Sequence, residues 1–128
     1  MVRLASAIEY KNGSSLLTFK EKKLEGRTIS GSTATKLQNL LREVVTHEEG
    51  TGKWYQDLPY EVAGKSGTGE TGKFYHDQQL YNKWFVGFFP YQNPKYALVV
   101  VNLDVTENEG AISPIYADLV QSIYEYDQ

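Results

Sequence analysis

The chain has 128 residues, of which 41% are hydrophobic and 23% charged, and its formal net charge is -3. This composition is typical of one globular domain or a piece of one, and the acidic balance argues against a broad nucleic-acid surface. Because the chain has no cysteine, disulfides, cysteine-based zinc sites and thiol nucleophiles are excluded.

The first half of the chain predicts a hairpin followed by a helix. The hairpin spans 3–19 around Lys11-Asn12-Gly13, since Asn-Gly supplies the positive φ angles of a tight turn. A helix is predicted over 32–47, because its apolar side chains recur at helical spacing and would bury one face. These side chains are Leu37, Leu40, Leu41, Val44 and Val45.

The second half predicts an antiparallel sheet followed by a helix. Its strands fall within 60–104, at 60–66, 84–89 and 96–104, with a loop at 74–83. The last strand is apolar at both alternating sets of positions, which is typical of a central strand covered on both faces. A helix over 113–125 would begin with Ser113 as its cap and Pro114 in its first turn. Its buried stripe would comprise Ile112, Ile115, Tyr116, Leu119, Val120 and Ile123. The predicted fold class is α+β, a small antiparallel sheet packed with one helix before it and one after it.

The segment Gly64-Lys65-Ser66-Gly67-Thr68-Gly69 carries the strongest chemical signal, and three interpretations compete for it. A phosphate-binding loop is disfavoured, because neither possible frame has the full glycine–lysine–hydroxyl pattern and no helix is predicted to follow in either frame. A flexible, exposed glycine loop is the simplest alternative. The third is an edge strand beside an acyl-transfer site, where a lysine supplies charge, alternate hydroxyls hold a carboxylate and a backbone N–H stabilises an oxyanion.

Five segments favour the third interpretation through a family resemblance. The chain resembles, over nearly its full length, the C-terminal part of the transpeptidase domain of class B penicillin-binding proteins. The segments follow the family's order: Gly50-Thr51-Gly52 after a helix, Glu61 to Glu70 as the Lys-Ser-Gly strand, Trp84-Phe85-Val86-Gly87 with Pro90, Asn93-Pro94-Lys95-Tyr96, and Ser113-Pro114-Ile115-Tyr116.

The resemblance implies a partial transpeptidase domain of the β-lactamase-like type. The parent protein would be a D,D-transpeptidase that cross-links peptidoglycan stem peptides ending in D-Ala–D-Ala through a serine acyl-enzyme, and it would bind β-lactams. Lys65 would supply active-site charge. Ser66, Gly67 and Thr68 would bind substrate, and the Thr68 N–H would form half of the oxyanion hole. We expect no cofactor, and no metal site, because no cluster of residues in the sequence has metal-ligand spacing.

The family's other two motifs are missing from the sequence. There is no Ser-x-x-Lys and no Ser-x-Asn; the nearest segments are Thr33-Ala34-Thr35-Lys36 and the turn Tyr10-Lys11-Asn12. We therefore expect a fragment, inactive alone, that packs with the rest of the parent domain. The parent would lie on the extracytoplasmic face of the bacterial cytoplasmic membrane, held by an N-terminal anchor outside this chain. The fragment itself would not contact the membrane, since no apolar run approaches the ~20 residues of a membrane span. Its acidic net charge argues against contact with nucleic acid.

Other candidate residues and functions are weaker. His47 is expected on the surface rather than as a ligand, and His76 beside Asp77 does not make a catalytic geometry. Trp84 is expected to pack on the strand, with a role in shaping the cleft as the alternative. Two rival functions stay open: a non-catalytic module that binds peptidoglycan peptides or a partner at the edge strand, and a nucleotide-binding protein.

Overall fold

The computed structural model describes residues 7–18 and 26–128. The chain divides into two compact units, Met1–Ser30 and Gly31–Gln128. In chain order the elements are β1 (Ala7–Glu9), β2 (Ser15–Thr18), α1 (Gly31–Thr46), a 3-10 turn (Lys53–Tyr55), β3 (Ala63–Tyr75), β4 (Gln78–Phe89), β5 (Tyr96–Val105) and α2 (Ser113–Tyr126). Two helices with antiparallel sheets match the predicted α+β class.

The first unit contains a short hairpin. β1 and β2 pair antiparallel, with Ile8 opposite Leu17. Gly13 has a φ of 83°, and the Asn12 side-chain oxygen accepts a hydrogen bond from the Ser14 N–H at 3.0 Å. Asn12 and Gly13 thus form the predicted turn; residues 3–6 and 19 of the predicted hairpin lie outside the described residues.

The second unit is built on a three-stranded antiparallel sheet with the order β3-β4-β5. The prediction of a loop at 74–83 is wrong, because β3 and β4 form one long hairpin whose turn is His76-Asp77. These two residues have φ angles of 47° and 62°, as a tight two-residue hairpin turn requires. The turn contains no glycine or asparagine, so the usual sequence signal for it is absent.

An aromatic cluster forms the centre of the core. The Tyr55, Phe85 and Tyr116 rings lie with centroids 4.5–4.9 Å apart in tilted or edge-to-face pairs, a favoured arrangement for aromatic rings. Val45 of α1 and Val120 of α2 are fully buried in the same core. Burial raises the pKa of Tyr55 to about 12.

The helices bury narrower stripes than predicted. In α1 only Val45 of the five predicted residues is buried, and Leu37 and Leu40 are exposed. The C-terminal half of the helix is fixed instead by Arg42, whose guanidinium donates to the Val62 carbonyl oxygen at 2.6 Å. The described residues therefore cover only the last turn of α1, and the earlier turns stay largely exposed.

The second helix also differs from its prediction. Ile115 and Leu119 are 46% and 41% exposed, whereas Tyr116 and Val120 are buried. Ser113 is the first helical residue rather than the cap, since Ile112 occupies the cap position and no side chain caps the helix.

The far end of α2 is tied to the sheet by Asp127. Its carboxylate accepts hydrogen bonds from the hydroxyls of Tyr60 and Tyr96, the latter at 2.7 Å. The hydrogen bonds from Tyr60 and then Tyr96 lower the pKa of Asp127, while the bond to Asp127 raises the pKa of Tyr60 to about 12.

The strand predicted to be central is instead the outermost strand of its sheet. β5 pairs with β4, and no other strand of this sheet lies beyond it in the described part of the chain. Leu98 and Val100 pack against the core, but Val99, Val101 and Leu103 are 51–62% exposed. Both faces of the strand are apolar, and the described residues cover only one of them.

Candidate active site on the edge strand

The Lys-Ser-Gly-Thr segment lies on β3, at the free edge of the sheet. Lys65 pairs with Val86, and Thr68 with Lys83. β3 has no strand on its other side among the described residues, so half of its backbone N–H and C=O groups face away from β4. The structure therefore presents the segment as an open strand edge, not as a flexible glycine loop.

Alternation along β3 puts the two hydroxyl side chains on one face. Ser66 lies opposite Phe85, whose side chain enters the core, and Thr68 follows two residues later. Lys65 and Gly67 face the other side, because successive strand residues point to opposite faces. The predicted pair of alternate hydroxyls is thus brought together.

Two neighbours surround the Ser66 hydroxyl. Ser66 Oγ lies 2.7 Å from Thr51 Oγ1, in a hydrogen bond that joins two segments 15 residues apart. The Lys65 ammonium donates to the Ser66 carbonyl oxygen at 2.8 Å and to Ser66 Oγ at 3.4 Å. Thr51 entered the sequence analysis only as part of a family segment, and local spacing could not predict its contact with Ser66.

An open cavity of about 390 Å³ lies beside these hydroxyls. Among the described residues its lining contains one charged residue, Lys83, whose ammonium donates to the backbone carbonyls of Glu107 and Glu109. The remaining lining residues are polar or apolar: Thr51, Trp54, Tyr55, Ser66, Gly67, Thr68, Trp84, Phe85, Ile112 and Ser113. A cavity to which the described residues contribute several hydroxyls, one cation and no carboxylate suits an anionic group. Lys83 was not among the candidates predicted from the sequence. Its place in the cavity follows from the strand register, which puts Lys83 opposite Thr68.

The indole of Trp84 lies over the glycines of the strand. A side chain at Gly67 would collide with the Trp84 indole, and one at Gly69 would lie 3.2 Å from its benzo edge. An aromatic ring across from a glycine compensates for the packing that glycine cannot supply. On this face, glycine at 67 is therefore required by Trp84; close approach of a substrate to Gly67 stays a prediction.

The remaining candidates do not join the site. His76 and Asp77 form the distant hairpin turn, and His47 is an exposed residue whose Nδ1 accepts from the Glu49 N–H. No metal-binding group of histidine and carboxylate side chains occurs within residues 7–18 and 26–128. No helix in those ranges is long and apolar enough to cross a membrane.

Comparison with known proteins gives a consistent assignment. Residues 1–123 match the family model of the penicillin binding protein transpeptidase domain. The chain is 34% identical over 95 residues to the peptidoglycan D,D-transpeptidase MrdA of Haemophilus influenzae; the match covers 65% of this chain and 14% of that protein.

Solved structures agree at the level of the fold. The D,D-transpeptidase domain of a peptidoglycan glycosyltransferase from Eggerthella lenta is similar with a TM-score of 0.65 and 25% identity, over 95% of this chain and 27% of that one. Penicillin-binding protein 2B from Streptococcus pneumoniae strain R6 gives a TM-score of 0.66 at 23% identity, over 94% of this chain and 20% of that one. The chain thus spans about a quarter or less of each of these proteins.

Proposed function

This chain belongs to the penicillin-binding protein transpeptidase domain family, of the class B type, and on that premise we propose that it is the C-terminal part of a peptidoglycan D,D-transpeptidase. The parent enzyme cross-links stem peptides ending in D-Ala–D-Ala through a serine acyl-enzyme and is acylated by β-lactams. The observation that carries the proposal is the Lys65-to-Thr68 segment, which lies on a strand edge left open by the described residues. Its hydroxyls lie beside a cavity whose one charged lining residue, in the described part of the chain, is Lys83.

Each residue of the segment has a role in this proposal. Lys65 supplies positive charge beside the reacting serine. Ser66 and Thr68 donate hydrogen bonds to the carboxylate of the substrate or drug, and the Thr68 N–H forms half of the oxyanion hole. Donors fixed in place before the reaction stabilise the charge that develops in the transition state. The position of Ser66 and Thr68 on the same face of β3 supports this assignment.

The segment works only with the rest of its domain. The sequence holds no Ser-x-x-Lys nucleophile motif and no Ser-x-Asn, so the nucleophile and its activating base come from another part of the parent protein. That parent acts on the extracytoplasmic face of the cytoplasmic membrane, where its peptidoglycan substrate lies. The isolated 128-residue chain is therefore inactive and takes no covalent penicillin.

The proposal is tested by finding the native protein and labelling it. An antibody raised against this segment identifies the protein in cell fractions, which are then treated with a fluorescent penicillin, with and without excess unlabelled penicillin. We expect a membrane-bound band several times larger than 14.5 kDa whose label is lost on competition. A soluble, unlabelled band at the size of the chain would contradict the proposal and favour a non-catalytic peptide-binding module.

A second measurement tests whether the nucleophile lies outside this segment of the domain. Intact-mass analysis of the isolated chain after incubation with penicillin should show no adduct. A stable one-to-one adduct would overturn the claim that the nucleophile lies elsewhere.

A further inference from the structure

We infer that Thr51 is a positioning residue that orients the Ser66 hydroxyl, so that the Ser66 proton is donated into the adjacent cavity toward an anionic group. The inference rests on the proposed function for the identity of that anion, the carboxylate of the substrate. Thr51 lies outside the Lys-Ser-Gly strand, in the loop between α1 and the 3-10 turn.

The groups around Ser66 are compatible with a hydroxyl proton that points into the cavity. A serine hydroxyl accepts through two lone pairs and donates one hydrogen. The Lys65 ammonium can only donate, and it lies 3.4 Å from Ser66 Oγ. The two hydroxyl oxygens of Thr51 and Ser66 lie 2.7 Å apart, and either could be the donor. In the arrangement we propose, Thr51 donates, and both acceptor positions of Ser66 are then filled. The proton of Ser66 is then left for an outside acceptor, and a carboxylate accepts without donating.

The backbone on both sides of Thr51 is anchored. The Gly50 N–H donates to the His47 carbonyl oxygen and the Gly52 N–H to the Val44 carbonyl oxygen, both at 2.9 Å. Gly52 is buried, and a side chain there would lie 3.1 Å from the Val45 side chain. Thr51 therefore approaches Ser66 from a rigid position rather than from a mobile loop.

Serine at position 66 makes this contact necessary. A threonine would have its χ1 angle restricted by its γ-methyl group, whereas the serine side chain can populate several staggered rotamers. The hydrogen bond between Thr51 and Ser66 favours one of them. The surrounding cavity favours an anion, because Lys83 is the one charged residue that residues 7–18 and 26–128 contribute to its lining.

The positioning role is tested on the 128-residue chain by NMR. Three-bond couplings that report the Ser66 χ1 rotamer are compared in the wild type, Thr51→Val and Thr51→Ser. We expect one dominant rotamer in the wild type and in Thr51→Ser, which keeps the hydroxyl, and rotamer averaging in Thr51→Val. The couplings of Thr68 serve as the internal control and should not change. Unchanged Ser66 couplings in Thr51→Val would overturn the inference.

The consequence for substrate binding is tested in the parent protein once its labelling by penicillin is established. Acylation is followed over a series of penicillin concentrations. Thr51→Val should raise the half-maximal concentration about tenfold, the value of about one hydrogen bond, while the maximal acylation rate stays within twofold. Thr51→Ser should restore the wild-type value. If the wild type is labelled and Thr51→Val has the same half-maximal penicillin concentration, the inference is refuted.

A double-variant comparison separates positioning from general damage. In a Ser66→Ala background, Thr51→Val should have no further effect on half-maximal acylation, because Thr51 acts through Ser66. Additive effects would refute the proposed role. A wild type that takes no label would count against the proposed function instead, and the couplings measured on the 128-residue chain would still decide the role of Thr51.

Discussion

Gly87 of β4 is the position where one added methyl group should be most damaging. A Cβ atom at Gly87 would lie 2.5 Å from the Tyr116 hydroxyl oxygen and 2.8 Å from the Ala63 carbonyl oxygen. The first obstacle is a fully buried side chain of α2, and the second is the backbone of β3, which cannot rotate away. Gly87→Ala therefore forces α2 and β3 away from β4 together.

The expected loss follows from these two contacts. Overpacking a core by one methyl group costs about 1–3 kcal/mol, and we expect about 2–3 kcal/mol here because one obstacle is backbone. For a chain of this size that corresponds to a melting temperature lower by about 8–12 °C. Urea unfolding of the 128-residue chain, followed by circular dichroism, measures the change directly. A variant within about 0.5 kcal/mol of the wild type, the usual range for surface substitutions, would refute the reasoning.

Tyr116→Phe provides the matched control. The Tyr116 hydroxyl is buried and has no hydrogen-bond partner among the described residues, so its removal alone should leave stability unchanged or raise it by about 1 kcal/mol. In the Gly87→Ala background it should recover about half of the loss, since the Ala63 carbonyl still obstructs the methyl group. No recovery would mean that the clash lies elsewhere.

Three further predictions concern the hydrogen bonds of Asp127 with Tyr60 and Tyr96, the indole of Trp84, and Lys65. Asp127→Asn should lower the melting temperature at pH 7. Because the pKa of Asp127 is lowered from 3.8, the higher melting temperature of the wild type should fade as the pH falls below that value. Because the pKa of Tyr60 is raised from 10.0 to about 12, the difference should fade again as the pH rises between those two values. A difference in melting temperature that does not depend on pH would exclude these hydrogen bonds as its cause. Trp84→Ala should cost about 1–2 kcal/mol, because the indole covers two strand glycines while remaining partly exposed, and an unchanged urea midpoint would contradict this packing. Lys65→Ala in the parent protein should slow penicillin acylation by about 100-fold or more with its melting temperature nearly unchanged, since Lys65 is exposed; near-normal acylation would remove Lys65 from the site.

The sequence predicted the elements with strong local signals. The Asn12-Gly13 turn, both helices and the strands at 84–89 and 96–104 follow from turn chemistry and from the pattern of apolar residues. The β3–β4 hairpin was not predicted. Its first strand was expected only over 60–66, because the glycines of β3 weaken a strand signal, and its turn was placed in a loop because His76-Asp77 is not a usual turn pair. Packing also decided what periodicity could not: Leu37 and Leu40 have helical spacing, yet they lie on an exposed part of α1.

Of the candidate site, only the contiguous segment was predicted from the sequence. The order Lys65-Ser66-Gly67-Thr68 stands in the sequence, and the alternation of strand residues indicates which side chains share a face. The contact between Thr51 and Ser66 depends on how α1 leads into the 3-10 turn and on the burial of Gly52, which no local pattern reveals. The same holds for Trp84, whose ring position over Gly67 and Gly69 follows from the register of β3 and β4.

The uncovered face of β5 has a practical consequence for all work on the isolated chain. Val99, Val101 and Leu103 lie side by side on an outer strand, and an apolar strand at an open sheet edge promotes association with other chains. The state of association should therefore rise with protein concentration, and a dilution series followed by light scattering would report it. Replacing Val101 with threonine, which suits a strand but is more polar, should make concentrated samples more soluble at little cost in folding, because that side chain is half-exposed in the 128-residue chain.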